Sequence, residues 1–337
     1  MSPSTGLLEN PHTDVHRQSS VLHKPQRLWL HLVLFLLTLF TTTALGMRYM
    51  FNFKQGFFPL STDEDIFPFS WIAHNLHSLP LGLPFSITLL AFLLAHEMGH
   101  YFACRFYRVR CTLPYVLPAP TLSGTAGAVI RLRSRIRSRS ALIVIGSSGP
   151  LCGFFVVLIS TIIGFLYSKP QIGEIPPALY FRFNAPVLMT TIHDILARFN
   201  PHTAPLLLTV PHPILVASWV GILITSLNLI PAGQLDGGHI LYAISPRVHK
   251  VATQIIIGAL FLAGTVYWLG WFLWAVLLML PGMKHPPVPD DDPVKPWQFA
   301  LIPVCLIVFC LTATVQPFTN TSLLDWMNKV HWGFSIH

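Results

Sequence analysis

Residues 79–100 read LPLGLPFSITLLAFLLAHEMGH, and the fold turns on them. From Leu79 to Ala95 the stretch is almost wholly apolar, with Ser86 and Thr88 the only polar side chains after Leu79. It then ends in His96-Glu97-Met98-Gly99-His100, an HExxH pattern. Seventeen positions, all apolar but two, running into three ionisable ones read as a membrane helix carrying chemistry. Ionisable groups at that depth are expensive and are kept where they have a use. The chain has 16 His but only four Glu (Glu9, Glu64, Glu97, Glu174). At those frequencies an accidental HExxH appears in roughly one chain in a hundred.

Working outward, 53% of the 337 residues are hydrophobic and 10% are charged, where a soluble domain carries about 25% charged residues. The expected fold class is an all-α polytopic membrane protein of six to seven transmembrane helices, with a small membrane-associated β-hairpin. Apolar runs of about 20 residues are the unit. They fall at 28–47, 79–101, 141–167, 204–230, 251–269, 270–283 and 297–315. The pair at 251–283 reads as a tight hairpin, or as one span with a re-entrant piece. The first run has a polar, slightly basic leader, but it is long and deep in the chain, so it reads as an uncleaved anchor.

With the N-terminus cytoplasmic, Arg17, Lys24 and Arg27 lie inside. So do Arg105, Arg108, Arg110, Arg131, Arg133, Arg135, Arg137 and Arg139, together with Arg247, Lys250, Lys284 and Lys295. That leaves six of the 21 basic residues outside, which satisfies the positive-inside rule. The C-terminal end of the HExxH helix then approaches the cytoplasmic face. The expected address is a multi-pass protein of a bacterial inner membrane with its site toward the cytoplasm. The net charge of +8 needs no nucleic acid: the basic loop suits anionic lipid headgroups, and no aromatic residues interleave the arginines. The expected partners are the bilayer and membrane-spanning protein substrates, with no oligomeric state assigned. Cys104, Cys111, Cys152, Cys305 and Cys310 form no CxxC and read as packing residues.

On a helix His96 and His100 share one face and can grip one Zn²⁺. Glu97 is placed to act as general base toward the water that attacks a carbonyl. A third protein ligand is needed, and Asp236 is the best candidate. It sits in Asn228-Leu-Ile-Pro231-Ala-Gly-Gln-Leu-Asp236-Gly237-Gly238-His239, at the end of a span that runs in the same direction as the HExxH span. His239 is a rival ligand, read instead as a polar residue at a helix start. His193-Asp194 reads as a solvated pair in an outer loop, and His74 and His77 as outer-side residues. The segment 111–133 is no helix, because Pro114, Pro118 and Pro120 interrupt it. Residues 123–131 read as a strand, either of a plain surface hairpin or with its edge near the metal and open to an extended substrate.

HExxH on one span, Gly149-Pro150-Leu151-Cys152-Gly153 on another, and an N-x-x-P-x-x-x-x-D-G run ending a third resemble, in that order, the site-2 protease family of intramembrane zinc metalloproteases. The likeness covers about residues 80–245 and looks closest to the bacterial and plant-chloroplast branch without PDZ or CBS domains. It implies one zinc on His96, His100 and Asp236, Glu97 as catalytic base, and Asn228 holding substrate or oxyanion. It also implies cleavage of membrane-spanning proteins. A metal transporter would line a pathway with polar groups, whereas these gather at one depth. An inactive scaffold would not need Glu97. The expected organisation is a cytoplasmic segment 1–27, a protease core 28–283, a Pro/Asp-rich loop 284–296, and a last span with tail 297–337. Within the core lie the HExxH helix at about 79–107, the hairpin at about 111–133, and spans at 141–167 and 204–240.

Overall fold

The computed structural model describes residues 27–171, 182–200, 203–288 and 294–333. The basic leader with Arg17 and Lys24, His202, and the acidic heart of the Pro/Asp-rich loop lie outside the described residues. Helix follows apolar run almost throughout. The chain forms α1 (Leu28–Lys54), α2 (Phe69–His74), α3 (Leu83–Phe106), α4 (Arg139–Tyr167), α5 (Val187–Phe199), α6 (Pro213–Asn228), α7 (Asp236–Ile244), α8 (Pro246–Val266), α9 (Gly270–Met279), α10 (Pro296–Thr312) and α11 (Leu323–Gly333). Two short antiparallel pairs join them: β1 (Tyr115–Pro118) with β2 (Thr125–Val129), and β3 (Lys169–Pro170) with β4 (Thr209–Val210).

Among the described residues four helices are long and apolar enough to cross a membrane: α1, α3 with the 3₁₀ turn before it, α4 and α8. The other expected spans are the shorter apolar helices α6, α9 and α10. The run at 204–230 shortens to the 16 residues of α6 for a local reason. Pro205, Pro211 and Pro213 deny helical hydrogen bonds to the stretch before it. That stretch becomes a 3₁₀ turn and β4, and α6 begins only where the His212 imidazole caps Ile214 N–H. Sixteen residues rise about 24 Å, less than the thickness of a bilayer core, and α6 ends at Asn228. The chain then runs irregularly to α7. The pair at 251–283 resolves into one full-length helix, α8, and the ten-residue α9.

The core lies where α3, α4 and α6 meet, with Phe85, Leu89, Phe92, Val157, Leu215, Val216 and Ile222 buried together. Large apolar side chains such as Phe102, Phe106, Phe155 and Leu166 stay exposed on the outside, as lipid-facing residues do. The C-terminal end of α3, the 109–141 stretch and residues near Val288 and Val294 pack at one end of the bundle. Among the described residues three helices, α2, α5 and α11, had no counterpart among the expected elements. Helix α5 is amphipathic and buries His193, whose Nε2 meets the Ala204 carbonyl at 3.0 Å, while Asp194 stays exposed. The expected solvated pair is therefore half buried. Helix α11 follows the last apolar helix. All five cysteines are free.

Candidate metal centre

Three elements converge on the centre. Helix α3 brings His96, Glu97 and His100, all buried. Helix α6 ends at Asn228. The first turn of α7 brings Asp236, whose side chain is 12% exposed. His96 Nε2 lies 3.3 Å from Asp236 Oδ2, and His100 Nε2 lies 3.3 Å from Asp236 Oδ1. The two imidazole Nε2 atoms are 3.2 Å apart. The carboxylate thus spans both histidines, one oxygen toward each, and one ligand atom from each of the three residues lies within 4.8 Å of the others. Donors at about 2.0–2.1 Å from a tetrahedral zinc stand about 3.3–3.4 Å from one another. The separation of the two imidazole nitrogens matches that spacing, and the two-histidine, one-carboxylate chemistry of this triad suits zinc. Among the described residues no other group of His, Cys, Asp and Glu converges in this way.

The imidazoles are aimed by their surroundings. His100 Nδ1–H donates to the Ile145 carbonyl of α4 at 2.7 Å, which leaves the Nε2 lone pair facing Asp236. His96 Nδ1 is buried without a hydrogen-bond partner, and its ring is held by packing against Phe92 and Gly153. The glycines of the Gly149-Pro150-Leu151-Cys152-Gly153 run acquire a reason here. A Cβ on Gly149 would overlap the His100 imidazole, and one on Gly153 would press on Phe92 and His96. The run is the seat on which α4 meets both metal-facing histidines.

Glu97 is buried on α3, which packs against β2, and the Ile130 backbone N–H lies in the electrostatic neighbourhood of its carboxylate. Asn228 Nδ2 lies 3.3 Å from His96 Nε2, beside the triad. Every residue singled out for the site from the sequence therefore lies in one cluster. His239 does not join the triad. His285 Nδ1–H donates to the Pro286 carbonyl, so His285 Nε2 accepts from His239 Nδ1–H at 2.9 Å. Tyr242 stacks on His285 at 3.8 Å, and His249 Nε2–H donates to the Gly233 carbonyl at 2.9 Å. These histidines clamp the loop between α6 and α7 from below. Sequence reasoning missed Ile145, because a backbone carbonyl has no residue signature. It missed His285, which is remote in sequence.

The family model described as peptidase family M50 matches residues 84–270, which contain all of these groups. A protein of Arabidopsis thaliana, "Probable zinc metalloprotease EGY1, chloroplastic", is 28% identical over 311 residues, covering 86% of this chain and 54% of the relative. "Probable zinc metalloprotease EGY2, chloroplastic" of Oryza sativa subsp. indica is 26% identical over 301 residues, covering 85% and 52%. The chain spans about half the length of these curated relatives. Their names are those of chloroplast proteins, so they lend no support to the bacterial inner membrane expected from the sequence.

Proposed function

The chain belongs to peptidase family M50, and on that premise we propose that it is an intramembrane zinc endopeptidase that hydrolyses peptide bonds of membrane-spanning proteins. The observation that carries the reading is the convergence of His96, His100 and Asp236, the two imidazole nitrogens 3.2 Å apart and each 3.3 Å from a different oxygen of the carboxylate, beside Glu97. Helix α6 stops short of a full bilayer crossing at this point, which supports a site within the membrane on the side of the basic loop.

Zinc held by these three residues would polarise a peptide carbonyl and lower the pKa of a nearby water toward about 7. Glu97 takes the proton of the attacking water and returns it to the leaving amine. The His100 hydrogen bond to Ile145 keeps the imidazole from turning. Asn228, next to His96, donates to the oxygen on which charge develops.

A helical substrate hides its peptide bonds, so one segment must open before it is cut. Strand β2 packs against α3, the helix of Glu97, and carries only small residues at Ala126, Gly127 and Ala128. It supports a reading in which the opened segment adds as a further strand. The chloroplast relatives bear on the host membrane only through their names. The reading kept for this chain is a multi-pass membrane protein acting within that bilayer.

The test uses the full chain reconstituted with a tagged single-span reporter protein. Mass spectrometry of the fragments should map the cut inside the reporter's apolar segment or at its edge. Cuts confined to soluble regions remote from the bilayer, or insensitive to removal of zinc, would sink the proposal.

A further inference from the structure

Hairpin β1–β2 runs alongside α1 at bilayer depth, where every backbone carbonyl needs a protein partner. Helix α1 supplies them. His31 Nδ1–H donates to the Pro114 carbonyl at 3.0 Å, and its ring stacks on Tyr115. Thr38 Oγ1 shares its hydrogen between the Leu34 carbonyl at 2.8 Å and the Val116 carbonyl at 3.1 Å. Thr41 Oγ1 donates to the Gly124 carbonyl at 2.7 Å, and the Tyr49 hydroxyl donates to the Leu122 carbonyl. Residues 31, 38, 41 and 49 fall within a stripe about 80° wide on a helix turning about 100° per residue. A stripe this narrow, all of it turned to one hairpin, is a built feature.

The contacts also sort the edges of the hairpin. Leu117 O points to β2, where Thr125 Oγ1–H donates to it at 2.7 Å. Pro114 O and Val116 O point the other way, to α1. Carbonyls alternate along a strand, and facing residues of an antiparallel pair point the same way relative to the ladder. Val116 pairs with Ala128, and Tyr115 with Val129. Ala128 and Ile130 therefore turn away from β1, on the outer edge of β2. Helix α3 packs against β2, and the Ile130 N–H is the group of this edge in the electrostatic neighbourhood of Glu97. Ala128 is the next edge position, about 7 Å away along the strand.

We propose that α1, outside the matched family region, is a positioning element of the active site. Its ladder of His31, Thr38, Thr41 and Tyr49 closes the β1 edge and holds the β2 edge, at Ala128 and Ile130, against Glu97, so that an extended substrate segment has one edge to join. The inference rests on the strand-addition reading above. Two edges become one, and the one left open leads straight to the base and the metal ligands. The hydroxyls act through the hairpin and touch no substrate.

Three variants of the full chain separate this from the reading beneath it, with zinc content, amide exchange and reporter cleavage as readouts. Thr38→Val/Thr41→Val keeps side-chain shape and removes two donors. It should retain zinc, speed exchange at Ala128 and Ile130, and raise KM about tenfold with a smaller change in kcat. Thr38→Ser/Thr41→Ser should restore both. Should the double variant fail to fold, Thr41→Val alone carries the same expectation at smaller size. Ala128→Pro removes an outward N–H without breaking the ladder, so it should fold and lose cleavage. Wild-type KM and exchange in the valine variant, alongside an inactive Ala128→Pro, would overturn the role of α1 and leave strand addition standing. Wild-type cleavage by Ala128→Pro would overturn strand addition itself.

Discussion

Gly149 is the residue whose smallest change should do most harm. A methyl group there occupies the space of the His100 imidazole. Because α4 packs tightly on α3, neither helix can yield cheaply. Gly149→Ala should lower bound zinc well below one per chain and abolish cleavage. Cys152→Ala, three positions on and exposed, should keep both, and metal analysis of the purified variants checks this. Asn228 sits beside His96 but offers no donor to the triad, so Asn228→Ala should keep its zinc. If it stabilises the developing charge, kcat should fall about 10²–10³-fold with little change in KM. Asp236 and Glu97 were legible because charge inside an apolar context stands out. Gly149 was legible only as part of a pattern, since the partner that explains it, His100, lies 49 positions earlier.

The elements that hold the site differ in how openly the sequence announced them. Helix α3 and the proline-broken hairpin were plain from apolar run and breaker. The role of α1 was hidden, because threonines are unremarkable in a membrane helix and their partners are backbone carbonyls. Helix α5 was hidden by its length and mixed polarity, and the start of α6 by counting apolar residues across three prolines. The clamp beneath the α6–α7 loop makes a prediction of its own. Burial pushes the His285 imidazole down to about 4 from its ordinary 6.5. The folded state thus favours the neutral ring. The stability this gives is full above about pH 6.5 and drains as pH falls toward 4. Amide exchange in 233–238 and 284–288, corrected for intrinsic rates, should rise over that window. His285→Gln, which cannot titrate, should reduce the pH dependence, leaving the part carried by His239 and His249 of the same clamp.

For the whole molecule, the family match covers 84–270, yet the hairpin beside the Glu97 helix is held by a helix that begins at Leu28. On the proposal above, the catalytic unit extends beyond the matched region. Four long helices form the frame, and the interrupted α6–α7 passage lets a carboxylate reach two histidines at depth. That arrangement explains why a chain with so little charge concentrates ionisable groups at one level, and it makes hydrolysis depend on a single proton carrier. Glu97→Gln is the direct test: it keeps the shape of the side chain and removes its basicity. With full-length wild type and variant reconstituted side by side, the account predicts one zinc per chain in both and reporter cleavage in wild type alone. Cleavage persisting in the variant at the wild-type rate, with zinc in place, would contradict it.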